Sequence, residues 1–128
     1  MNPCIKELNE TEKATLFRSL FGGLTNVYGT YDPSTRRARV VKEPVTDQVI
    51  RAHINGKKPY GVFLLNKNRT VSVVADFDDP NPESPNAFIN RAAHYGLTAY
   101  LEKSKSKGYH AWIFFEKEGV TASKARLI

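Results

Sequence analysis

The segment from Thr70 to Phe77 limits the possible folds more than any other part of the chain, because its side chains follow the period of a β-strand. Its apolar positions share one face of that strand, and they are Val71, Val73, Ala75 and Phe77. A strand with one apolar face must pack that face against a second layer. The other face carries Asp76, and Asp78 continues the same alternation. The segment therefore predicts a half-buried strand that ends in two acids pointing the same way.

Asp76 and Asp78 are candidate metal ligands, because carboxylates at alternate strand positions lie close together and repel each other. A divalent cation between them removes that repulsion, and Mg²⁺ or Mn²⁺ prefers oxygen ligands of this kind. In phosphoryl transfer, two such metals stabilise the attacking and the leaving oxygen. The pair by itself also fits a strand that runs into an acidic, solvated turn, and this alternative stays open.

A second candidate site is the loop before the last long strand, which combines hydroxyl groups, ammonium groups and a glycine. Its members are Lys103, Ser104, Lys105, Ser106, Lys107 and Gly108. Hydroxyls, backbone N–H groups and cations are the donors that a triphosphate requires, and a glycine lets the backbone approach closely. His110 follows on the next strand, where alternation places it on the face of Trp112 and Phe114. A solvated lysine–serine hairpin next to a core histidine is the alternative interpretation.

The rest of the pattern predicts an α+β fold, with a mainly antiparallel central sheet flanked by helices. Four helices are expected, with N-terminal caps at Asn9, Thr46, Ser84 and Thr121. Further strands are expected over residues 26–31, 39–42, 60–65, 97–102 and 109–115. The polar turn 66–69 favours a hairpin between the strands on either side of it. That hairpin and the strand 109–115 are expected to form the floor of the site.

Length and composition are those of one folded domain, since 128 residues with 41% hydrophobic content suffice for a core. The net charge of +6 suits a polyanionic partner without requiring one. Cys4 is the only cysteine, so neither an internal disulfide nor a cysteine zinc cluster is possible. No signal-peptide core and no apolar run of bilayer length is present. These features are interpreted as those of a cytoplasmic protein without a membrane partner.

The chain stops at Ile128, just inside its fourth predicted helix. A helix that is cut off so early buries little surface and satisfies few backbone groups. Residues 1–128 are therefore interpreted as a single domain that is truncated at its C-terminus.

Several stretches follow one another in an order that is typical of a known superfamily. They read F-R-S-L-F-G-G (17–23), I-R-A-H-I-N-G (50–56), V-V-A-D-F-D (73–78) and A-Y-L-E-K-S-K-S-K-G-Y-H-A-W-I-F-F-E (99–116). Together they resemble the archaeo-eukaryotic primase superfamily, in particular the primase-polymerase domains of TOTE conflict systems and of CRISPR-associated primase-polymerases. The resemblance spans nearly the whole chain.

The resemblance implies template-dependent nucleotidyl transfer by a DNA primase or polymerase with two divalent metals, Mg²⁺ or Mn²⁺. The family's first motif falls on Asp76 and Asp78, which the resemblance makes the metal ligands. Its second motif, a serine followed by a histidine, falls on Ser104 or Ser106 and on His110, where the family binds the incoming triphosphate. The implied partners are nucleoside triphosphates and a single-stranded or primed DNA template.

Several features depart from the family pattern, among them Lys107 and Tyr109, which replace smaller residues that are common in relatives. Lys105 stands where relatives often carry arginine, which keeps the charge but loses bidentate phosphate contact. The third motif, an acid on a later strand, is absent, because only Glu116 and Glu118 follow the loop. The chain alone is therefore expected to hold nucleotide weakly, and to depend on a missing C-terminal portion or a partner chain for catalysis.

Arg36, Arg37 and Arg39 are candidate contacts for the phosphate backbone of a template. Such contacts add affinity that depends on the salt concentration but not on the base sequence of the template. A merely solvated basic surface explains the same three residues equally well.

A non-catalytic nucleic-acid or nucleotide-binding module is the second functional hypothesis. Exposed aromatic residues on a sheet can stack bases, and Tyr28, Tyr31 and Trp112 are candidates. His53 lies in a stretch that matches the family but has no assigned role, so it is interpreted as a partly buried structural histidine.

Overall fold

The computed structural model describes residues 7–105 and 107–128, and it combines helices with antiparallel strands, which confirms the predicted α+β class. The helices are α1 (Glu10–Leu20), α2 (Asp47–Ile54), α3 (Glu83–His94) and α4 (Ala122–Ala125). The strands are β1 (Tyr28–Tyr31), β2 (Ala38–Val41), β3 (Arg69–Thr70), β4 (Ser72–Phe77), β5 (Ala99–Lys103), β6 (Tyr109–Phe114) and β7 (Val120–Thr121). The chain divides into two compact units, residues 1–70 and 71–128. Within the described ranges, no helix is long and apolar enough to cross a membrane.

Helix α1 begins at the predicted cap. The Asn9 side chain accepts a hydrogen bond from the Glu12 N–H at 2.8 Å, and the Asn9 N–H donates to the Glu12 carboxylate at 3.2 Å. This capping box satisfies two backbone donors that the helix leaves unpaired. The Glu10 carboxylate then ties α1 to α2, accepting from Asn55 at 3.0 Å and from Arg51 at 3.3 Å. The hydrogen bond from Asn55 and the charge of Arg51 hold the pKa of Glu10 below its usual range.

Helices α2 and α4 also begin at predicted caps. The Thr46 hydroxyl accepts from the Val49 N–H at 3.3 Å, and the Thr121 hydroxyl accepts from the Lys124 N–H at 3.4 Å. Each threonine has an extended backbone, as an N-cap residue requires. Local sequence therefore predicts these two helix starts correctly.

The core of the first unit lies where α1 and α2 pack together. Its buried residues are Ala14, Val45 and Ile50, and Ile50 is only 1% exposed. The rings of Phe17 and Tyr60 pack against this cluster, with centroids 6.0 Å apart. Burial there raises the pKa of the Tyr60 hydroxyl.

The hairpin expected between residues 60–65 and 70–77 is not formed, so that part of the predicted site floor is wrong. The turn itself exists, since Asn66 and Arg69 exchange backbone hydrogen bonds of 2.9 and 3.0 Å. Its two central residues have positive φ angles of 50° and 65°, which suit a tight turn. The turn thus forms without extending into a ladder on either side.

Residues 60–65 bind to other parts of the first unit instead. Gly61 and Gly29 exchange backbone hydrogen bonds of 2.7 Å. The Leu24 N–H donates to the Phe63 carbonyl oxygen at 2.9 Å, an approach that a Cβ at Gly23 would block. These hydrogen bonds hold residues 60–65 against other segments of the first unit.

The second unit contains a three-stranded antiparallel sheet in the order β4-β6-β5. The register pairs Ser72 with Phe114 at one end of β4 and Phe77 with Tyr109 at the other. Helix α3 covers one face, where Ala92, Ala99 and Ile113 form a buried cluster that Val73 and Phe88 adjoin. The Phe77 ring also packs on Phe88, with centroids 5.9 Å apart. This is the apolar face that alternation predicted for β4.

Helix α3 begins earlier than predicted, with Pro82 rather than Ser84 at the N-cap position. Two side chains before it turn the chain into the helix. Asp79 accepts from the Asn81 N–H at 2.8 Å, and Asn81 accepts from the Glu83 N–H at 3.0 Å. Since side chains of this type imitate a backbone turn, they start the helix before Ser84 is reached.

Replacing Ile50 by alanine is expected to destabilise the first unit by about 2–5 kcal/mol, because it leaves a cavity in the buried cluster where α1 and α2 pack. Val40 is 55% exposed on β2, so Val40→Thr serves as the control and is expected to change stability by less than about 0.5 kcal/mol. Chemical denaturation followed by circular dichroism measures both. Equal losses for the two variants would show that Ile50 is not a core residue.

Candidate functional site

Three titratable side chains form a row across the sheet of the second unit. The register places Asp76 on β4 opposite His110 on β6, and His110 opposite Glu102 on β5. The His110 Nε2 atom lies 3.5 Å from Asp76 Oδ1, and its Nδ1 atom lies 2.6 Å from Glu102 Oε1. The imidazole therefore lies between two carboxylates, on the face of the sheet opposite to α3.

The acids of this row are open to solvent. The Asp76 side chain is 64% exposed and that of Glu102 is 53% exposed, whereas the His110 side chain is 32% exposed. Asp78 follows directly after the end of β4 and is exposed as well. Exposed carboxylates at a strand end keep their oxygens available to a cation or to a ligand.

The loop between β5 and β6 lies against the end of β4. Gly108 has a φ angle of +94°, and a Cβ at this position would collide with the Phe77 carbonyl oxygen and lie 3.0 Å from the carbonyl carbon of Asp78. The Gly108 carbonyl oxygen accepts from the Ser104 N–H at 3.0 Å, which closes the loop. Because only glycine permits both the dihedral angle and the close approach, Gly108 brings the loop next to the two predicted metal ligands.

The polar members of the loop are described in part. Ser104 is half-buried, Lys105 and Lys107 are exposed, and Lys103 is the last residue of β5, opposite Tyr109. The predicted nucleotide contact Ser106 lies outside the described residues. The loop therefore carries polar and basic residues at the end of the sheet where His110 lies, and its Gly108 backbone lies against Phe77 and Asp78.

Glu102 and its link to Trp112 are features that the sequence interpretation missed. Glu102 Oε1 accepts the Trp112 indole N–H at 3.1 Å, in addition to its contact with His110. The Trp112 ring stacks on Phe114, with centroids 6.0 Å apart and planes 5° apart. The sequence contains a signal for Glu102. If the strands on either side of the loop 104–108 pair as a hairpin, Glu102 lies opposite His110.

The predicted template contacts lie in the first unit. Arg36 is in the link between β1 and β2 with a positive φ of 58°, Arg37 follows it, and Arg39 is on β2. All three are exposed. Arg37 and Arg39 line an open cleft of about 780 Å³ together with Lys57 and Lys58. Asp32 also lines the cleft, so four basic side chains face one acid there and positive charge predominates.

His53 and Tyr28, two residues singled out in the sequence, lie among aromatic side chains of the first unit. The His53 ring lies 5.6 Å from Phe17 and 5.8 Å from Tyr60, and its Nδ1 lies 3.1 Å from the Lys58 carbonyl oxygen. Tyr28 packs on Tyr60 at 5.8 Å and adjoins the buried cluster. Both rings are thus part of the packing of the first unit.

Among the residues that the structure describes, no group of three or more histidine, cysteine, aspartate or glutamate side chains is arranged to hold a metal ion. Asp76 and Asp78 supply only carboxylate oxygens. This donor set fits Mg²⁺ or Mn²⁺, which keeps several waters and is often bound by one or two carboxylates together with substrate phosphates.

A comparison with known protein families identifies the family of the chain. The family model described as TOTE conflict system, Archaeo-Eukaryotic Primase domain, matches residues 33–128, which is more than half of the chain. The chain therefore belongs to the TOTE archaeo-eukaryotic primase family, which is a family of the nucleotidyl-transfer type. A search of curated proteins gave no match.

Gly108→Ala is expected to destabilise the second unit by more than Gly96→Ala does. Both glycines have positive φ angles, +94° and +79°, but a Cβ at Gly96 meets nothing within 4 Å. The Gly96 variant should lose only the dihedral cost of about 1–2 kcal/mol. The Gly108 variant adds a collision with the end of β4, so its unfolding free energy should fall by roughly a further 1–3 kcal/mol. Equal losses in denaturant titrations would contradict the close approach.

Proposed function

We propose that this chain carries the metal-binding and triphosphate-binding parts of a template-dependent DNA primase or polymerase. In that reaction the 3′-oxygen of a primer or first nucleotide attacks the α-phosphorus of a nucleoside triphosphate, and pyrophosphate leaves. The observation that supports the proposal most is the placement of Asp76 across from His110, with the Gly108 loop against the end of the same strand.

Asp76 and Asp78 would hold Mg²⁺ or Mn²⁺ through their carboxylate oxygens. Such metals, when bound, would supply charge neutralisation for the triphosphate and for the attacking and leaving oxygens. The residues themselves contribute a pair of exposed acids on a rigid strand, which fixes where the cation and the phosphates meet. His110 beside Asp76 extends this site toward the triphosphate.

The triphosphate itself would bind to the loop and to His110. Lys105 and Lys107 supply positive charge, and the loop hydroxyls, Ser104 and Ser106 in the sequence, supply hydrogen-bond donors. His110 reaches the same place from the start of β6. In this arrangement the loop would bind the phosphates, and Asp76 would hold a metal that supplies positive charge beside them.

The DNA template would bind through its phosphates to the basic cleft of the first unit. Arg37 and Arg39 line this cleft with Lys57 and Lys58, and Arg36 directly precedes Arg37 in the chain. Contacts of this kind depend on salt and do not read the base sequence.

A non-catalytic nucleotide-binding or nucleic-acid-binding module is the alternative. It is favoured by one observation, that no group of three acid, histidine or cysteine ligands is found in the described part of the chain. Such a module would bind DNA equally well after loss of Asp76 and Asp78, and its nucleotide binding would not require a divalent metal.

Asp76→Asn and Asp78→Asn should each weaken Mn²⁺-dependent binding of a nucleoside triphosphate by about tenfold or more, because each removes an anionic ligand without changing the size of the side chain. Asp79→Asn is the matched control. It removes a neighbouring charge but keeps an oxygen for the Asn81 N–H, so binding should stay near the wild-type value. Calorimetric titration with and without Mn²⁺ measures all four proteins.

The same variants should be compared for Mn²⁺-supported nucleotide incorporation on a single-stranded template. Incorporation by the wild-type chain and by Asp79→Asn, but not by Asp76→Asn, would support direct catalysis. Nucleotide binding that changes neither when Mn²⁺ is left out nor when either aspartate is substituted would contradict the proposed metal role.

Arg39→Ala should weaken single-stranded DNA binding and reduce the slope of log K against log salt by about 0.7, the value for one phosphate contact. The matched control is Arg91→Ala, which removes the same charge from the exposed surface of α3. Fluorescence anisotropy at several salt concentrations measures both slopes. If the two variants shift the slope equally, the cleft has no special role and only net charge matters.

A further inference from the structure

We propose that Glu102 is a positioning residue that fixes the His110 imidazole, with the Nδ1–H directed to Glu102 and Nε2 directed to the Asp76 side. The inference rests on the proposed function in one respect, namely that His110 holds the nucleotide. It adds a residue from β5 to a site that otherwise uses β4, β6 and the loop between β5 and β6.

The hydrogen-bonding chemistry fixes which nitrogen carries the proton. Glu102 Oε1 lies 2.6 Å from His110 Nδ1 and 3.1 Å from the Trp112 indole nitrogen. An indole N–H only donates, and an ionised carboxylate only accepts. Nδ1 of His110 must therefore carry a hydrogen, whether the ring is neutral or charged. Nε2 is then the nitrogen that faces Asp76 Oδ1, at 3.5 Å.

Trp112 holds Glu102 in the orientation that this requires. Its indole N–H donates to the same oxygen that accepts from His110, so rotation of the carboxylate would break both bonds. The indole is itself stacked on Phe114, with planes 5° apart. The positioning of His110 thus depends on a chain of contacts along one face of β6.

Two possible roles of Glu102 predict different changes in nucleotide affinity when its charge is removed. If the carboxylate acted only as a negative charge beside a triphosphate, both Glu102→Gln and Glu102→Ala would bind nucleotide more tightly. If it positions His110, glutamine keeps an oxygen for both donors and preserves binding, whereas alanine frees the ring and weakens binding. The pair of variants therefore separates orientation from charge.

The direct test is the tautomer of His110, measured by long-range ¹H–¹⁵N correlation spectra of the labelled chain without nucleotide. The chain has three histidines, and the His110 signals are assigned by their loss in His110→Gln. His53 is an internal reference, because it belongs to the first unit, where its Nδ1 lies 3.1 Å from the carbonyl oxygen of Lys58.

Wild type and Glu102→Gln should both show a proton on Nδ1 of His110, and Glu102→Ala should show the Nε2–H tautomer instead. The pattern of His53 should be the same in all three proteins, which also reports that the first unit remains folded. An Nε2–H tautomer in the wild type, or an Nδ1–H tautomer that survives in Glu102→Ala, would overturn the inference.

Titration of the same proteins with a nucleoside triphosphate and Mn²⁺ tests the functional consequence. Glu102→Ala should bind roughly tenfold more weakly than wild type, as is typical for loss of a residue that orients a ligand-binding histidine. Glu102→Gln should bind like wild type, and tighter binding by both variants would overturn the positioning role. Absence of nucleotide binding in every protein, with the expected tautomers, would refute the proposed function but leave the orientation of His110 established.

Discussion

The antiparallel pairing of β4 with β6 is the contact on which the candidate site depends. It aligns six residue pairs, from Ser72 with Phe114 to Phe77 with Tyr109, and it places Asp76 opposite His110. A shift of one residue would turn every side chain of β4 to the other face, moving Asp76 into the apolar layer under α3. The burial of Ile113 and the packing of Val73 on that layer therefore hold the acid on the open face.

Gly108 extends this constraint from the sheet to the loop. The strand pairing fixes where β4 ends, and the missing side chain of Gly108 lets the loop backbone lie against Phe77 and Asp78. The same residue closes the loop through its bond with Ser104. Backbone sterics at one position thus determine how near the basic loop lies to the acids.

Much of this arrangement follows from the sequence, because alternation within a strand is a local property. It predicts the faces of β4 and β6, and the caps at Asn9 and Thr46 are equally local. The partner of β4 is not local, and the turn at residues 66–69 suggested the wrong one. The turn forms without a ladder beyond it, and Gly61 pairs with Gly29 instead. The strand that pairs with β4 is β6, which a local sequence pattern cannot indicate.

Glu102 raises the question of whether it replaces the acid that the third family motif would supply. Its Oε1 atom accepts from both His110 and Trp112, so binding a cation there would compete with two hydrogen bonds. Within the described residues, it forms no three-membered ligand group with Asp76 and His110. Glu102 therefore differs from Asp76 and Asp78: its Oε1 atom accepts two hydrogen bonds, whereas Asp76 and Asp78 lie exposed at the end of β4.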